Sequence, residues 1–231
     1  MLEELKARVC AANLALVRHG LVTLTWGNAS AIDREKGLVV IKPSGVAYDT
    51  MSPADMVVVD LDGTVAEGRF RPSSDTPTHL VLYRAFPSVG GIVHTHSTFA
   101  VAWAQAARAV PLYGTTHADH LAADIPCTEF MADDRIRNDY ETETGLQIID
   151  CFEKHNLNAA EIPMALVAGH GPFTWGATAA KAVYHARVLE ELCKMAYITE
   201  LVNPKVQRLK DSLIQKHYNR KHGKDAYYGQ N

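Results

Sequence analysis

No two cysteines of this chain are spaced to form a thiolate pair. Cys10, Cys127, Cys151 and Cys193 are scattered, with no Cys-x-x-Cys among them. That argues against a thiolate zinc site and fits reduced thiols in a cytosol. An excess of one charge is also lacking. The 23 basic and 26 acidic side chains leave a net charge of -3, with no bulk reason to bind nucleic acid or an anionic membrane. No apolar run is long enough to cross a bilayer. The N-terminus carries Glu3 and Glu4 where a secretory signal would be basic and then apolar, so a soluble cytoplasmic protein is expected. There is no Walker loop and no GxGxxG pattern, which leaves nucleotide binding unsupported. No repeat, low-complexity tract or linker divides the 231 residues, so residues 1–231 read as one α/β domain.

Periodicity supplies the elements. "MLEELKARVCAANLALVRHG" is an amphipathic helix with Leu2, Leu5, Val9, Ala12 and Leu16 on one face and Gly20 as its stop. "LVTLTWGNASAI" reads as a strand broken at Gly27-Asn28, and "GLVVIKPSG" as a strand ending in a Pro-Ser-Gly turn. "MVVVDLDGTVAEG" is a hairpin with Asp62-Gly63 at its turn. "PSSDTPTHLVLYRAF" opens a helix that Thr76 can cap, with Pro77 suited to its first turn. "GGIVHTHS" is a strand and "STFAVAWAQA" and "ETGLQIIDCFEKH" are helical. "PMALVAGHGPFTWG" is an apolar strand running into a Gly-rich turn. A long helix covers about residues 178 to 201, and a basic helix precedes the tail "AYYGQN". Hairpin turns near the start point to a largely antiparallel sheet rather than a run of βαβ units.

His94-Thr95-His96 is the first chemical signal. Alternation along a strand projects both imidazoles to one side, where they either share a metal ion or simply stand at a solvated strand end. His170, between Gly169 and Gly171, is a candidate third ligand or an ordinary turn histidine. Asp75 is a candidate fourth ligand or a helix cap, and His79, one turn later, can compete with it. His19, His155, His185 and His222 read as surface residues. Three turns carry groups suited to a phosphate: Gly27-Asn28, Lys42-Pro43-Ser44-Gly45 and Pro72-Ser73-Ser74, the last at a helix N-terminus. Each is as readily an ordinary turn.

In order along the chain, "TWGNAS", "IKPSG", "PSSDTPTH", "GGIVHTHS", "GTTHAD", "GHGPF" and "KHYNRKHG" with "AYYGQ" resemble the zinc-dependent class II sugar-phosphate aldolase/epimerase superfamily, and within it the sugar-phosphate 4-epimerases. The resemblance covers essentially the whole chain. It implies a three-layer α/β/α fold with a mainly antiparallel central sheet, and a homotetramer with its sites at subunit interfaces. It implies Zn2+ held by His94, His96, His170 and Asp75. The substrate phosphate would lie among Gly27, Asn28, Lys42, Ser44, Gly45, Ser73 and Ser74. Asp119 and Tyr228 would be the acid/base pair, and since an unperturbed Tyr has a pKa of ~10, Tyr228 would need help from the metal or from a neighbouring cation such as His217. One departure is "HADHLAAD", where compared epimerases carry aromatic residues after the aspartate, so His120-Leu121 alters that wall.

The implied reaction interconverts L-ribulose 5-phosphate and D-xylulose 5-phosphate; the sequence leaves open whether arabinose, ascorbate or another breakdown route supplies the substrate. C4 is not adjacent to the C2 carbonyl, so removing its hydrogen would leave an unstabilised carbanion. Breaking C3–C4 instead leaves an enediolate whose charge a Lewis acid can hold. Re-addition to the other face of the aldehyde then gives the C4 epimer, with one proton-exchanging group needed on each side. A class II aldolase that releases its fragments is the near alternative, although related aldolases tend to carry Glu where this chain has Asp75. A non-catalytic module resembling the adducin head is the distant one, but there the metal ligands would be expected to be lost.

Overall fold

A computed structural model describes residues 2–224 and 226–227. The strands are β1 (Asn28–Asp33), β2 (Leu38–Ile41), β3 (Val57–Asp60), β4 (Val65–Glu67), β5 (Gly91–His94), β6 (Met164–Val167) and β7 (Gly171–Gly176). They form one sheet in the order β4-β3-β2-β1-β5-β7-β6, antiparallel at every pairing. β2 and β3 are apolar on both faces. Val57 and Val59 pack with Leu80 and Leu82, while Val58 and Val40 pack with Val9 and Leu16. Alternating side chains that are all buried require cover on both sides of the sheet. The helices supply it, giving the three-layer fold that the resemblance implied.

One layer holds α2 (Thr76–Ala85) and α5 (Asp133–Lys154), and the other holds α1 (Glu3–Arg18) and the first half of α6 (Ala179–Val202). The second half of α6 packs Leu189, Leu192 and Cys193 in the cluster that includes Trp103 of α3 (Thr98–Gln105). Buried Glu190 on α6 accepts the Phe99 and Ala100 N–H groups at 3.0 and 2.9 Å. It thereby satisfies two free donors at the start of α3 and fixes the segment that follows His96. A short mid-chain helix α4 (Thr115–Ala118) and the basic helix α7 (Asp211–His222) pack against each other. Among the described residues, no helix is long and apolar enough to cross a membrane.

Three local expectations are corrected. Residues 21–27 form no strand, and the strand starts at Asn28. The apolar strand does run into a Gly-rich turn, at residues 168–170, but "GPFTWG" beyond it is β7, paired along β5 and β6. Its Gly and Pro suggested a turn, whereas the pairing on both sides and the burial of Phe173 and Trp175 impose a strand. At α2, the N-cap position is Asp75 rather than Thr76, and the Asp75 side chain makes no capping hydrogen bond. It is turned to Asn28 instead.

Candidate active site

β1, β5 and β7 bring Asn28, His94 and Phe173 side by side, because His94 is registered opposite both neighbours. His94 stacks on Phe173 with ring centroids 4.3 Å apart. Its Nδ1 lies 2.9 Å from the Pro172 carbonyl, so Nδ1 carries the proton and Nε2 presents a lone pair. β5 ends at His94, so His96 lies beyond the strand, yet its Nε2 comes within 3.0 Å of Nε2 of His94. His170 arrives from the β6–β7 turn. Gly171 makes that approach possible, since a Cβ there would stand 3.0 Å from the Thr95 carbonyl. The three imidazoles place a candidate ligand atom each within 4.8 Å of one another.

Burial and the adjacent His94 push the His96 imidazole below its usual range and His170 to about 3, so both are neutral at neutral pH. Neutral imidazoles with converging lone pairs are what a divalent metal binds. Zn–N bonds of 2.0–2.1 Å in a tetrahedron put ligand nitrogens roughly 3.3 Å apart, within the observed spread. Asp75 lines the same cleft and accepts the Asn28 amide at 2.6 Å. Burial would raise its carboxyl, but the fields of His94 and His79 and the Asn28 hydrogen bond hold it below the usual range. His79 does not join the cluster. It is buried, with Nδ1 2.7 Å from Ser30 Oγ, and burial lowers it to about 3.

The cleft has a volume of about 530 Å³, and all seven residues expected at a phosphate line it: Gly27, Asn28, Lys42, Ser44, Gly45, Ser73 and Ser74. Two backbone bonds clasp their turns together, Ser44 N–H to Arg71 O and Ser73 N–H to Lys42 O, both 3.0 Å. Lys42 is only 2% exposed. Its ammonium reaches the Pro43 carbonyl at 3.3 Å and the Tyr48 ring at 4.9 Å. Burial lowers its pKa. A buried cation so weakly partnered is suited to an anion. A larger cavity of about 710 Å³ between α1 and α6 contains none of these groups, and the chemistry, not the size, identifies the site.

Asp119 does not line this cleft. It ends α4, where α7 encloses it. Arg220 donates to both carboxylate oxygens at 2.9 and 2.6 Å, and His217 Nδ1 lies 3.0 Å away. Burial would raise its carboxyl, but those hydrogen bonds and the Lys221 charge hold it at about 2. His217 is thus a partner of Asp119 in the described structure, and Tyr228 lies outside the described residues. Leu121 is fully buried in the core, and His120 leans on Tyr184. His185 is no surface residue. It is half-buried, bonds the Trp175 carbonyl at 2.6 Å, and is lowered by burial to about 4. Trp26, Tyr140 and Glu141 line the cleft without having been expected there. For Tyr140 the available signal was Asp139-x-x-Thr142, a helix-start spacing inside a helical run.

Known proteins resemble this chain in sequence and in fold. The chain is 55% identical to L-ribulose-5-phosphate 4-epimerase UlaF of Salmonella paratyphi B, over 99% of this chain and 100% of that protein. The protein of the same name from Salmonella typhi matches equally, 55% identical over the same shares of the two chains. Among solved structures, an L-fuculose 1-phosphate aldolase superposes with a TM-score of 0.80 at 25% identity, covering 94% of this chain and 95% of that one. YgbL of Klebsiella pneumoniae, described as a putative aldolase/epimerase/decarboxylase, shares the fold with a TM-score of 0.72 at 22% identity, over 94% and 99%. The class II aldolase and adducin N-terminal domain matches residues 7–197, a span that carries the three histidines, Asp75 and the paired turns alike. The chain belongs to the class II aldolase and adducin N-terminal domain family.

Proposed function

We propose that this protein interconverts L-ribulose 5-phosphate and D-xylulose 5-phosphate by inverting C4 through cleavage and re-formation of the C3–C4 bond. The carrying observation is the convergence of His94, His96 and His170 beside a polar cleft that contains buried Lys42. His94, His96, His170 and Asp75 are the residues that would hold a divalent metal, zinc by the chemistry of the donor set. When bound, the metal supplies a Lewis acid for the oxygens at C2 and C3.

Lys42, Ser44, Ser73 and Ser74, with Asn28 and the Gly27 and Gly45 turns, grip the phosphate. Their task after bond cleavage is retention: the phosphorylated two-carbon aldehyde turns over without leaving. Asp119 and Tyr228 are the proton-exchanging pair. With its carboxylate held at about 2, Asp119 is ionised at neutral pH. His217 Nδ1 lies against the same carboxylate and helps to fix its orientation. Because the Asp119 cluster stands outside the histidine cleft of its own chain, the reading requires an oligomer, a homotetramer by the resemblance, in which one subunit's Asp119 and Tyr228 complete a neighbour's site. A fragment-releasing aldolase is the competing activity within the same family. Purified protein given L-ribulose 5-phosphate should form D-xylulose 5-phosphate with little free dihydroxyacetone or glycolaldehyde phosphate. Release of both fragments without the epimer would make it an aldolase, and no turnover of the metal-loaded protein would end the proposal.

A further inference from the structure

The geometry points to Tyr140 as a positioning residue for His170: its hydroxyl accepts the Nδ1 proton of that imidazole and thereby aims Nε2 into the cleft. The Tyr140 oxygen lies 3.2 Å from His170 Nδ1, and the two ring centroids are 5.9 Å apart at 36°. His94 has its ring fixed by a backbone carbonyl. His170 sits on a turn, half-buried, and needs an equivalent anchor to present one defined tautomer. A neutral imidazole that offers Nε2 as a lone pair must carry its proton on Nδ1, where the phenol oxygen receives it.

The fold goes to some length to deliver this residue. α5 is interrupted at Asp139, whose backbone takes φ -145° and ψ 86°. The Asp139 carboxylate accepts the Thr142 N–H at 3.3 Å and the Thr142 hydroxyl at 2.7 Å. This caps a second helical segment, and Tyr140 is its first residue. The new segment is pinned at once. Thr78 on α2 donates to the Glu141 carbonyl at 2.6 Å, and Thr144 donates to the Tyr140 carbonyl at 2.8 Å. Gly145 lets α5 approach α2 so closely that a Cβ there would stand 2.7 Å from Val81 Cβ. An uninterrupted helix would have carried residue 140 on a different heading. The break aims it back at the β6–β7 turn.

This inference rests on the metal reading above, and the test separates the two. Y140F keeps the ring and deletes only the acceptor. Zinc affinity would be measured by competition with a chelating indicator, and Co2+-substituted protein would report ligand geometry through its visible spectrum. Losing such an outer contact weakens metal binding roughly 10- to 100-fold. Y140F should fall in that range with a shifted Co2+ spectrum, while the melting temperature of the metal-free protein stays that of the wild type. D139A keeps the phenol but removes the cap, and should weaken binding in the same direction. Combined with Y140F it should add little, since both act through one hydrogen bond. If Y140F binds zinc as tightly as wild type, with the same Co2+ spectrum, while H96N fails to load, the inference falls alone. A wild type that takes up no metal would remove the metal reading and this inference together.

Discussion

The histidine cleft and the Asp119 cluster are both dense in polar groups, and they are balanced in opposite ways. In the cleft, Asn28 Oδ1 is buried without a hydrogen-bond partner among the described residues, and Lys42 has a single 3.3 Å bond to a carbonyl. Around Asp119, both carboxylate oxygens are taken by Arg220, one also by His217, with Lys221 3.7 Å away. Buried polar atoms left unpaired are costly and rare, and in a cleft that also holds a buried ammonium they suit a ligand. A saturated cluster holds geometry instead. The first region is built to receive something and the second to present something.

Removing metal is the largest way to break this contrast. Chelation should abolish turnover and Zn2+ should restore it. H96N should lose bound zinc, measured by elemental analysis, while H155N should keep it, because His155 ends α5 away from the cluster. Equal zinc in wild type and H96N would mean the three imidazoles are not the binding centre. A second experiment asks whether the two regions meet across subunits. H96N and D119N should each be inactive alone. Dissociated and reassembled together, they should regain activity, because some interfaces then join an intact metal site to a neighbour's intact Asp119. Mixed oligomers that stay as inactive as their parents would place Asp119 in its own chain's chemistry or outside catalysis.

The unequal legibility of the two regions has a physical cause. Taken alone, His94 and His96 are as readily a solvated strand end as a metal site, and Asp75 as readily a helix cap. The family resemblance, not periodicity, groups them, and β5 in fact stops at His94 with His96 beyond it. His170 was readable through its flanking glycines. The Asp119 clamp was not, since His217 and Arg220 are 98 and 101 residues away and only the docking of α7 brings them in. Tyr140 was hidden for a different reason. Its position depends on a single non-helical residue inside an otherwise helical run, and periodicity averages over such a break. β7 was masked because its Gly and Pro carry turn propensity that pairing on both sides overrides.

A third variant sharpens the contrast within the cleft. K42M replaces the weakly partnered buried ammonium with an apolar side chain of similar length. Losing a charge-assisted contact to phosphate costs about 1.5–3 kcal/mol, so KM for L-ribulose 5-phosphate should rise roughly 10- to 100-fold. N28A and S74A should rise in the same direction and release some glycolaldehyde phosphate. The melting temperature of ligand-free K42M should be equal to or above that of the wild type, because a buried charge with no counter-ion among the described residues has been removed. An unchanged KM in all three would move the phosphate elsewhere.

The smallest effect belongs to the saturated cluster and appears only in acid. Asp119 is held at about 2 in the folded chain, against roughly 3.9 in an unfolded one. A carboxyl whose folded pKa is depressed contributes stability above its unfolded value and loses it as pH falls through the folded one. The contribution to α7 docking should therefore be whole above about pH 4 and vanish toward pH 2. D119N, which cannot ionise, should be less stable than wild type by a constant margin from neutrality down to about pH 4, and the margin should then close. His117 and His185, lowered by burial to about 4, destabilise the fold as pH drops below about 6.5. Both proteins share that slope, so it cancels in the difference. Urea titrations of the two proteins at a series of pH values would measure the margin. A margin that stayed undiminished toward pH 2 would mean that the stabilisation does not come from the ionised Asp119 carboxylate.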